Sequence, residues 1–348
     1  MMLPGKNNLI GVDIGSYSVK VVSLVGAEGS YTLAGAALFR LPSEGGEAAP
    51  VTPPFLSGIL QAKRIKGRRA AALMNGPSLI FKHLKLPIMP EKDLKEAVRW
   101  EVRKDLAIAV SPTDLILDYM SAAKAAKPGD NTVSIVAFAA VRSDVERTIA
   151  LFRDAGLELR VLEVVPSALL FSFNINNAWE PGVNYAMLDI GETKSTLAIF
   201  KDKRLSFTRE IGMGGADFTK CLASGLGKPE EDAEDYKIAF GLIAEDNDED
   251  KAKKLLTQAV ERLCTEVQRS FDYFQAQFRE GSVAKLFISG GSSRLKGIEA
   301  VISRMIAVPI FKDDPLRSIQ IPKAFDRTEL AEIAPCLTVA VGLAARKS

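Results

Sequence analysis

Two stretches of this chain carry the tripeptide Asp-Ile-Gly, at Asp13 to Gly15 and again at Asp189 to Gly191, 176 residues apart. In both copies an apolar run precedes the aspartate and hydroxyl residues follow the glycine: Ser16 and Ser18 in the first, Thr193 and Ser195 in the second. Glycine lets backbone N–H groups come close to an oxygen, and hydroxyls donate further hydrogen bonds, so such a turn suits phosphate. A carboxylate repels phosphate; its useful place is on Mg²⁺, reached through water. Asp13 and Asp189 are therefore the candidate metal-holding residues, and Lys20 supplies a compensating positive charge. Two such turns, one from each half of the chain, predict a polyphosphate clasped from opposite sides. A third glycine turn, Ile288 to Ser293, places Gly290, Gly291 and Ser292 where a strand meets a helix, which admits a flat base or a ribose. Gly214 and Gly215 form a fourth point of close backbone approach.

These turns need strands to hold them. The first aspartate ends an apolar run from Leu9 to Val12. Two further strands are predicted at Val19–Val25 and Tyr31–Leu41, with a turn at Gly26–Ser30. The second copy repeats the plan, with Tyr185–Leu188, then Leu197–Phe200, a turn at Lys201–Arg204, and Leu205–Ile211. Between the copies, strands and helices alternate, the pattern of an α/β protein with mixed sheets. Ser43–Pro54 reads as a loop, Ala70–Met74 and Leu79–Leu86 as strands, and Pro90–Leu106 as a helix. Leu115–Met120 and Val133–Val141 are strands flanking a loop around 128–131. Asp144–Ala155 is a helix, Leu159–Val165 a strand, and Pro166 opens a helix where a proline fits. Further on, a helix follows Gly215, Lys228–Asp235 is an acidic stretch, and Thr257–Phe278 is a long helix with apolar residues three and four apart. Lys285–Ser289 is a strand, Leu295–Met305 a helix, and a short helix follows Pro335.

Composition closes off several classes. At 47% apolar and 25% charged residues the chain is an ordinary globular protein, and at roughly 150 residues per domain its length suggests two domains. A net charge of +2 gives no overall reason to expect nucleic acid. The single histidine, His83, argues against poly-His metal sites and His-based triads. Cys221, Cys264 and Cys336 are widely spaced and odd in number, which argues against a disulfide framework and for a reducing cytoplasm. No signal-peptide stretch is evident in the first 15 residues, and the longest apolar run, Ile333–Ala345, is too short to span a bilayer.

With these residues in view, the chain resembles the actin-like ATP-binding proteins, and within them the PilM family of type IV pilus assembly proteins. The Asp13 turn resembles the first phosphate motif of that superfamily, the Asp189 turn the second, and Ser289–Gly297 its adenosine motif. Glu96–Glu101, Glu266–Phe274 and Leu337–Ala344 look like PilM rather than actin. Ala233–Lys237 is similar to an Ala-Glu-x-x-Lys element whose acid and base face the ribose and purine, which implies Glu234 and Lys237 as nucleotide contacts. The implied fold is α/β and actin-like (ribonuclease H-like), two-lobed, with an α+β subdomain inserted in the first lobe. Residues 1–41, 151–184 and 325–348 would form the first lobe and 42–150 the insert. The second lobe would be 185–324, with its own helical insertion near 216–280. ATP and Mg are the implied cofactors. The implied partner is the N-terminal cytoplasmic segment of a PilN-like inner-membrane protein, with other pilus assembly proteins beside it, no nucleic acid, and membrane contact only through partners.

Two departures matter. PilM relatives commonly carry an acid just before the proline of the connecting helix; here Val165 precedes Pro166, and Glu163 is the nearest carboxylate. A hydrolytic water needs a well-placed polar group, so ATP binding is expected more firmly than turnover, with at most a slow ATPase. Lys194 stands in the second phosphate turn where a small or hydroxyl residue is usual, and either helps neutralise phosphate or points to solvent. Among the other features, Lys63, Arg64, Lys66, Arg68 and Arg69 put five positive charges in seven residues. They read as a solvated turn, with contact to anionic lipid or an acidic partner as the functional alternative. The acidic runs Glu230–Asp235 and Glu245–Asp250 read as solvated faces rather than metal sites, Trp100 and Phe81 as core residues with partner anchors as the alternative, and His83 as exposed or hydrogen-bonded. Competing readings are an FtsA-like cell-division protein, disfavoured by the missing basic amphipathic tail, and a small-molecule kinase of the same superfamily, disfavoured by the lack of an acceptor-activating group.

Overall fold

The computed structural model describes residues 9–27, 29–44, 47–76, 78–104, 114–124, 131–242, 247–278 and 281–346. The chain divides into two compact units: Met1–Gly182 with Phe200–Thr208 and Pro315–Ser348, and Val183–Ile199 with Arg209–Asp314.

The chain opens with β1 (Ile10–Ile14), β2 (Ser18–Ala27) and β3 (Ser30–Arg40), then the two-residue strands β4 (Ser43–Glu44) and β5 (Glu47–Ala48). There follow α1 (Pro53–Ala62), β6 (Arg69–Leu73), β7 (Ile80–Pro87), α2 (Glu91–Lys104), β8 (Leu115–Lys124) and β9 (Thr132–Val141). Next come α3 (Arg142–Asp154), β10 (Glu158–Glu163) and α4 (Val165–Asn176). The chain continues with β11 (Asn184–Ile190), β12 (Ser195–Lys201), β13 (Arg204–Ile211), α5 (Gly215–Leu226), α6 (Glu230–Ala239) and α7 (Asn247–Phe278). It finishes with β14 (Val283–Ser289), α8 (Ile298–Met305), β15 (Ile310–Lys312), α9 (Arg327–Ile333) and α10 (Thr338–Ala344).

Two five-stranded sheets result, ordered β3-β2-β1-β6-β10 and β13-β12-β11-β14-β15. The order is the same in both: three strands joined by short turns, then two strands reached by crossovers and added in parallel beside the first. In each sheet the Asp-Ile-Gly turn leaves the C-terminal end of the central strand, where open α/β sheets bind ligands. In the first sheet, alternation along the strands sends Ile10, Val12, Val19 and Val21 to one face, with Leu56, Ile59 and Phe152 of the helices α1 and α3. Val22, Leu24 and Leu33 go to the other, with Leu337, Ala340 and Val341.

A separate three-stranded antiparallel sheet, β7-β9-β8, packs against α2 through Leu84, Leu94, Val98, Val102 and Ile135. The expected insert began at residue 42, but β6, which lies inside that stretch, pairs with β1 and β10 in the first sheet. The three-stranded sheet itself starts at Ile80. Trp100, expected in the core, is 63% exposed. At 100° per residue it lies two positions from both Val98 and Val102, on the opposite face of α2 from the stripe those residues bury. Phe81 is half-buried. His83 is half-buried too: its Nε2 is 2.8 Å from the Thr208 carbonyl and its ring stacks on Phe207.

Three helices were not individually placed, although α6 falls within the helical insertion expected near 216–280. The stretch expected as a loop ends in α1, where Thr52 caps by accepting from the Phe55 N–H and two prolines occupy the first turn. The acidic stretch is α6, whose first-turn carboxylates suit the helix dipole, and α9 is capped by Asp326. Helix α7 starts ten residues before Thr257, because Ala252 and Leu256 extend its buried stripe. Residues 245–246 of the second acidic run, the side chains of its other members, and most of the loop around 128–131 lie outside the described residues.

Candidate functional site

Both Asp-Ile-Gly turns close through the same backbone ring. The Gly15 N–H donates to the Ser18 carbonyl at 3.0 Å, and the Gly191 N–H donates to the Lys194 carbonyl at 3.1 Å. The repeat spacing therefore holds without a gap across the turn, which sets Lys194 in the place of Ser18. The hydroxyls do not follow the repeat: by the same spacing Thr193 and Ser195 answer to Tyr17 and Val19.

In the first unit, Asp13 is buried and sits directly across the β1–β2 ladder from Lys20. Cross-strand neighbours of opposite charge attract, and the Lys20 ammonium lies 3.2 Å from Asp13 Oδ2. The same ammonium lies over Gly15, 2.8 Å from where a Cβ would stand. Ser16 is exposed and Ser18 is buried. The Asn75 side-chain amide, which sequence reading did not single out, donates to the Ile14 carbonyl at 2.9 Å and steadies the turn from β6's end.

The second unit gathers many more of the expected residues. Asp189 Oδ1 accepts from the Ser289 hydroxyl at 3.0 Å, so β11 and β14 are tied at their C-terminal ends. The Gly191 carbonyl accepts from the Gly215 N–H at 2.9 Å and from the Ser292 hydroxyl at 2.8 Å, and the Glu192 carbonyl accepts from the Ala216 N–H at 2.8 Å. Three glycine turns that lie far apart in the chain thus meet at the start of α5. Two glycines are dictated by this meeting. A Cβ on Gly214 would stand 2.5 Å from the Glu192 carbonyl oxygen, and Gly290 combines φ of +88° with a Cβ position 2.5 Å from the Ile190 carbonyl oxygen. Gly291, by contrast, has nothing within 4 Å of its Cβ position, so its backbone is open to a ligand.

Glu234 and Lys237 lie on α6 one turn apart and face inward. Lys237 is buried; its ammonium donates to the Gly215 carbonyl at 3.0 Å and to the Thr219 hydroxyl at 2.7 Å, and pairs with Glu234 Oε2 at 2.6 Å. Thr219 in turn hydrogen-bonds Glu234 Oε2. Both contacts on Glu234 fall on Oε2, leaving a second acceptor oxygen of the kind that takes a ribose hydroxyl. Three calls of the sequence therefore sit differently from one another. Gly191, Gly214, Gly215, Glu234, Lys237, Gly290, Gly291 and Ser292 form one cluster. Thr193 is exposed on the turn, and Ser195 is fully buried, its hydroxyl donating to the Met213 carbonyl at 2.7 Å. Lys194 is paired with Glu210. Thr219 was missed, although it lies one helical turn after Gly215; Ser289 opens the expected adenosine segment but was not named as a site residue.

No group of three or more His, Cys, Asp or Glu side chains suited to a metal gathers among the described residues. Asp13 in the first unit and Asp189 in the second each present hard carboxylate oxygens, of the kind that Mg²⁺ takes from one or two side chains while it keeps several waters. The nearest carboxylate to the start of α4, Glu163, is buried and ion-paired with Arg346, whose guanidinium also lies over the Phe171 ring.

A family model described as type IV pilus assembly protein PilM matches residues 11–348. A solved PilM–PilN type IV pilus biogenesis complex contains a chain that superposes with a TM-score of 0.84 at 24% identity, covering 98% of this chain and 99% of that one. MreB 5 of Spiroplasma citri bound to AMPPNP superposes at 0.51 with 13% identity, over 97% of this chain and 95% of that one. The cell division protein FtsA of Agrobacterium fabrum is 24% identical over 180 residues, 45% of this chain and 39% of the relative. The chain thus spans about two fifths of the length of that curated relative. The structural likenesses give the fold, α/β and actin-like.

Proposed function

Because it matches the PilM model over residues 11–348, the chain belongs to the type IV pilus assembly protein PilM family, and we propose that it is the cytoplasmic actin-like ATP-binding component of a pilus inner-membrane assembly complex. The observation that carries the nucleotide part is the cluster of the second unit, where Gly191, Gly214, Gly290 and Ser292 meet beside the Glu234–Lys237 pair. Glu234 and Lys237 would take the ribose and base, Gly290 to Ser292 the adenosine face, and the Gly15 and Gly191 turns the phosphates. Ser16, Ser18, Thr193, Ser195 and Lys20 belong to those turns, Ser18 and Ser195 supporting them from within. Asp13 and Asp189 would hold Mg²⁺ through water, and the ion would supply charge neutralisation at the phosphates.

A related actin-like protein has been solved with AMPPNP, which supports the ligand class. The chain of highest likeness reported above comes from a PilM–PilN complex, which supports a PilN-like partner; in this reading the partner offers its N-terminal cytoplasmic segment. Nucleotide influences that contact if the two conformations it selects differ in affinity for the segment. No helix among the described residues is long and apolar enough to cross a membrane, and the membrane-spanning part of the complex is assigned to the partner. Turnover is slow in this reading, since Glu163 is held by Arg346 rather than offered to a water.

Equilibrium titration with ATP and Mg²⁺ tests the first part. Saturable binding by the wild type, weakened by Asp13→Ala plus Asp189→Ala, is expected; no binding, or binding indifferent to both changes, overturns it. A pull-down with a synthetic N-terminal peptide of a PilN-like protein, with and without ATP, tests the second. Peptide retention that responds to ATP is expected, and failure to retain the peptide in either condition overturns the partner assignment.

A further inference from the structure

The turn between α1 and β6 is a surface for which the nucleotide and partner readings have no use. Lys63, Arg64, Lys66, Arg68 and Arg69 are all exposed. Their orientation is enforced from below. Ile65, between them, is buried in the first-unit core, and a Cβ at Gly67 would lie 3.2 Å from Ile10 Cδ1. The turn is pinned by hydrogen bonds from the Lys63, Arg64 and Ile65 N–H groups to the last carbonyls of α1, with Arg64 in the left-handed region at φ 52°. One side of the turn is thus fastened to the core, and every cation is on the other.

Cations after a helix C-terminus are favoured by its dipole, which accounts for Lys63 and Arg64. It does not account for Lys66, Arg68 and Arg69, which lie beyond the last turn. Nearby acids do not cancel the patch. Lys63 pairs with Glu329, while Glu158 and Asp154 are matched by Arg160 and Arg153. The turn contains no carboxylate of its own and no aromatic ring on which a base could stack. It also sits at the start of β6, beside Ile10, while Asp13 and Gly15 leave the other end of β1, roughly 15 Å away along the strand.

We infer that this turn is a docking surface for an anionic lipid bilayer. Its chemistry is that of a polybasic cluster, several Lys and Arg side chains on flexible stems reaching a plane of negative headgroups, and it needs no groove or matching sequence in the ligand. The surface acts independently of the nucleotide cluster. It would hold the protein flat against the membrane that the proposed partner spans, adding a second, weak attachment to the first.

Co-sedimentation of the full chain with vesicles tests this at low salt. Binding to phosphatidylglycerol-containing vesicles, absent on pure phosphatidylcholine and lost as salt is raised, is expected. Lys66→Gln with Arg68→Gln should weaken it about 25-fold, at about fivefold for each charge removed. Lys66→Arg with Arg68→Lys should keep it. ATP titration of the same variants reports folding and should be unchanged, which separates failure of this inference from failure of the nucleotide reading. If the Gln variant does not fold, the charge-preserving variant and the salt series still decide. Equal binding to both vesicle types, no binding to either, or retention on double-stranded DNA or polyglutamate tighter than on anionic vesicles would each overturn the inference.

Discussion

The two Asp-Ile-Gly turns share a backbone and differ in nearly everything built on it. The first is self-contained: its aspartate is answered by Lys20 across its own hairpin, and its glycine is shadowed by that same lysine. The second is a junction, in which the turn carbonyls receive donors from the start of α5 and from the turn after β14, and the aspartate is answered by a hydroxyl. The first aspartate is met by an ammonium, the second by the Ser289 hydroxyl. A carboxylate already paired with an ammonium gives less to a metal than one held by a hydroxyl. If the two carboxylates hold Mg²⁺ as proposed, Asp189 would be the stronger anchor and Asp13 would carry the larger structural part.

The sharpest way to break the comparison is to add a methyl group at the first turn and at the glycine packed against the second. Gly214→Ala drives a Cβ to within 2.7 Å of two backbone carbonyl oxygens, which have no rotamer to escape into. It should cost about 3 kcal/mol in chemical denaturation and abolish ATP binding. Gly15→Ala meets chiefly the far end of Lys20, a flexible chain, with the Ser18 carbonyl at 3.3 Å, and should cost about 1 kcal/mol. Equal costs would mean that the second turn is no more of a junction than the first.

Removing the carboxylates comes next. Asp13→Ala removes the carboxylate paired with the largely buried Lys20 ammonium and should destabilise by about 2 kcal/mol, most of it recovered in Asp13→Ala with Lys20→Met. Asp189→Ala loses a hydroxyl hydrogen bond and should cost about 1 kcal/mol, while weakening Mg²⁺-dependent ATP binding more than Asp13→Ala does. The reverse ranking, in stability or in affinity, would dissolve the distinction drawn between the two aspartates.

What could be read from the chain follows the same division. The turns, their strands and the common plan of the two halves were legible, because glycine, aspartate and hydroxyl residues at fixed spacing act locally. The wiring was not. Ser292 reaches Gly191 over 101 residues, and Ser289 reaches Asp189 over 100. Sequence spacing gives no hint of which hydroxyl will arrive where until the sheet order is known. Ser195 looked like a phosphate donor because it follows the glycine, yet β12 starts at that residue and turns its side chain inward. Trp100 was placed in the core by its type alone, although the helical angle from Val98 already put it outside.

A smaller contrast lies in how the third strand of each sheet is fastened. On β3, Leu33 and Tyr31 exchange backbone hydrogen bonds with Gln320, a tether with no titrating group. On β13, the Thr208 carbonyl is met by Nε2 of His83, which donates to it in the neutral ring. Burial holds the His83 pKa below its usual 6.5, with the Thr208 hydrogen bond opposing. The unfolded chain therefore takes the proton first on acidification. Stability from this site is complete above pH 6.5 and is lost as pH falls through the folded pKa. Thermal melts should show that His83→Gln lacks this part of the decline; identical pH dependence in wild type and variant would remove His83 from the account.

The smallest effect concerns Lys194, which occupies the place of Ser18. Its ammonium is paired with Glu210, and both side chains are about a third exposed, so solvent screening leaves the pair little energy. Lys194→Ser should change stability by less than about 0.5 kcal/mol. The pair has a more telling consequence for ligand. A lysine held by a carboxylate is withheld from phosphate, so Lys194→Ser should leave ATP affinity nearly unchanged, whereas Glu210→Gln frees the ammonium and should tighten binding. If Lys194→Ser instead weakens binding as much as Asp189→Ala, the lysine reaches the ligand despite Glu210. The second turn would then use a charge just as the first does, and the contrast drawn between the two turns would not survive.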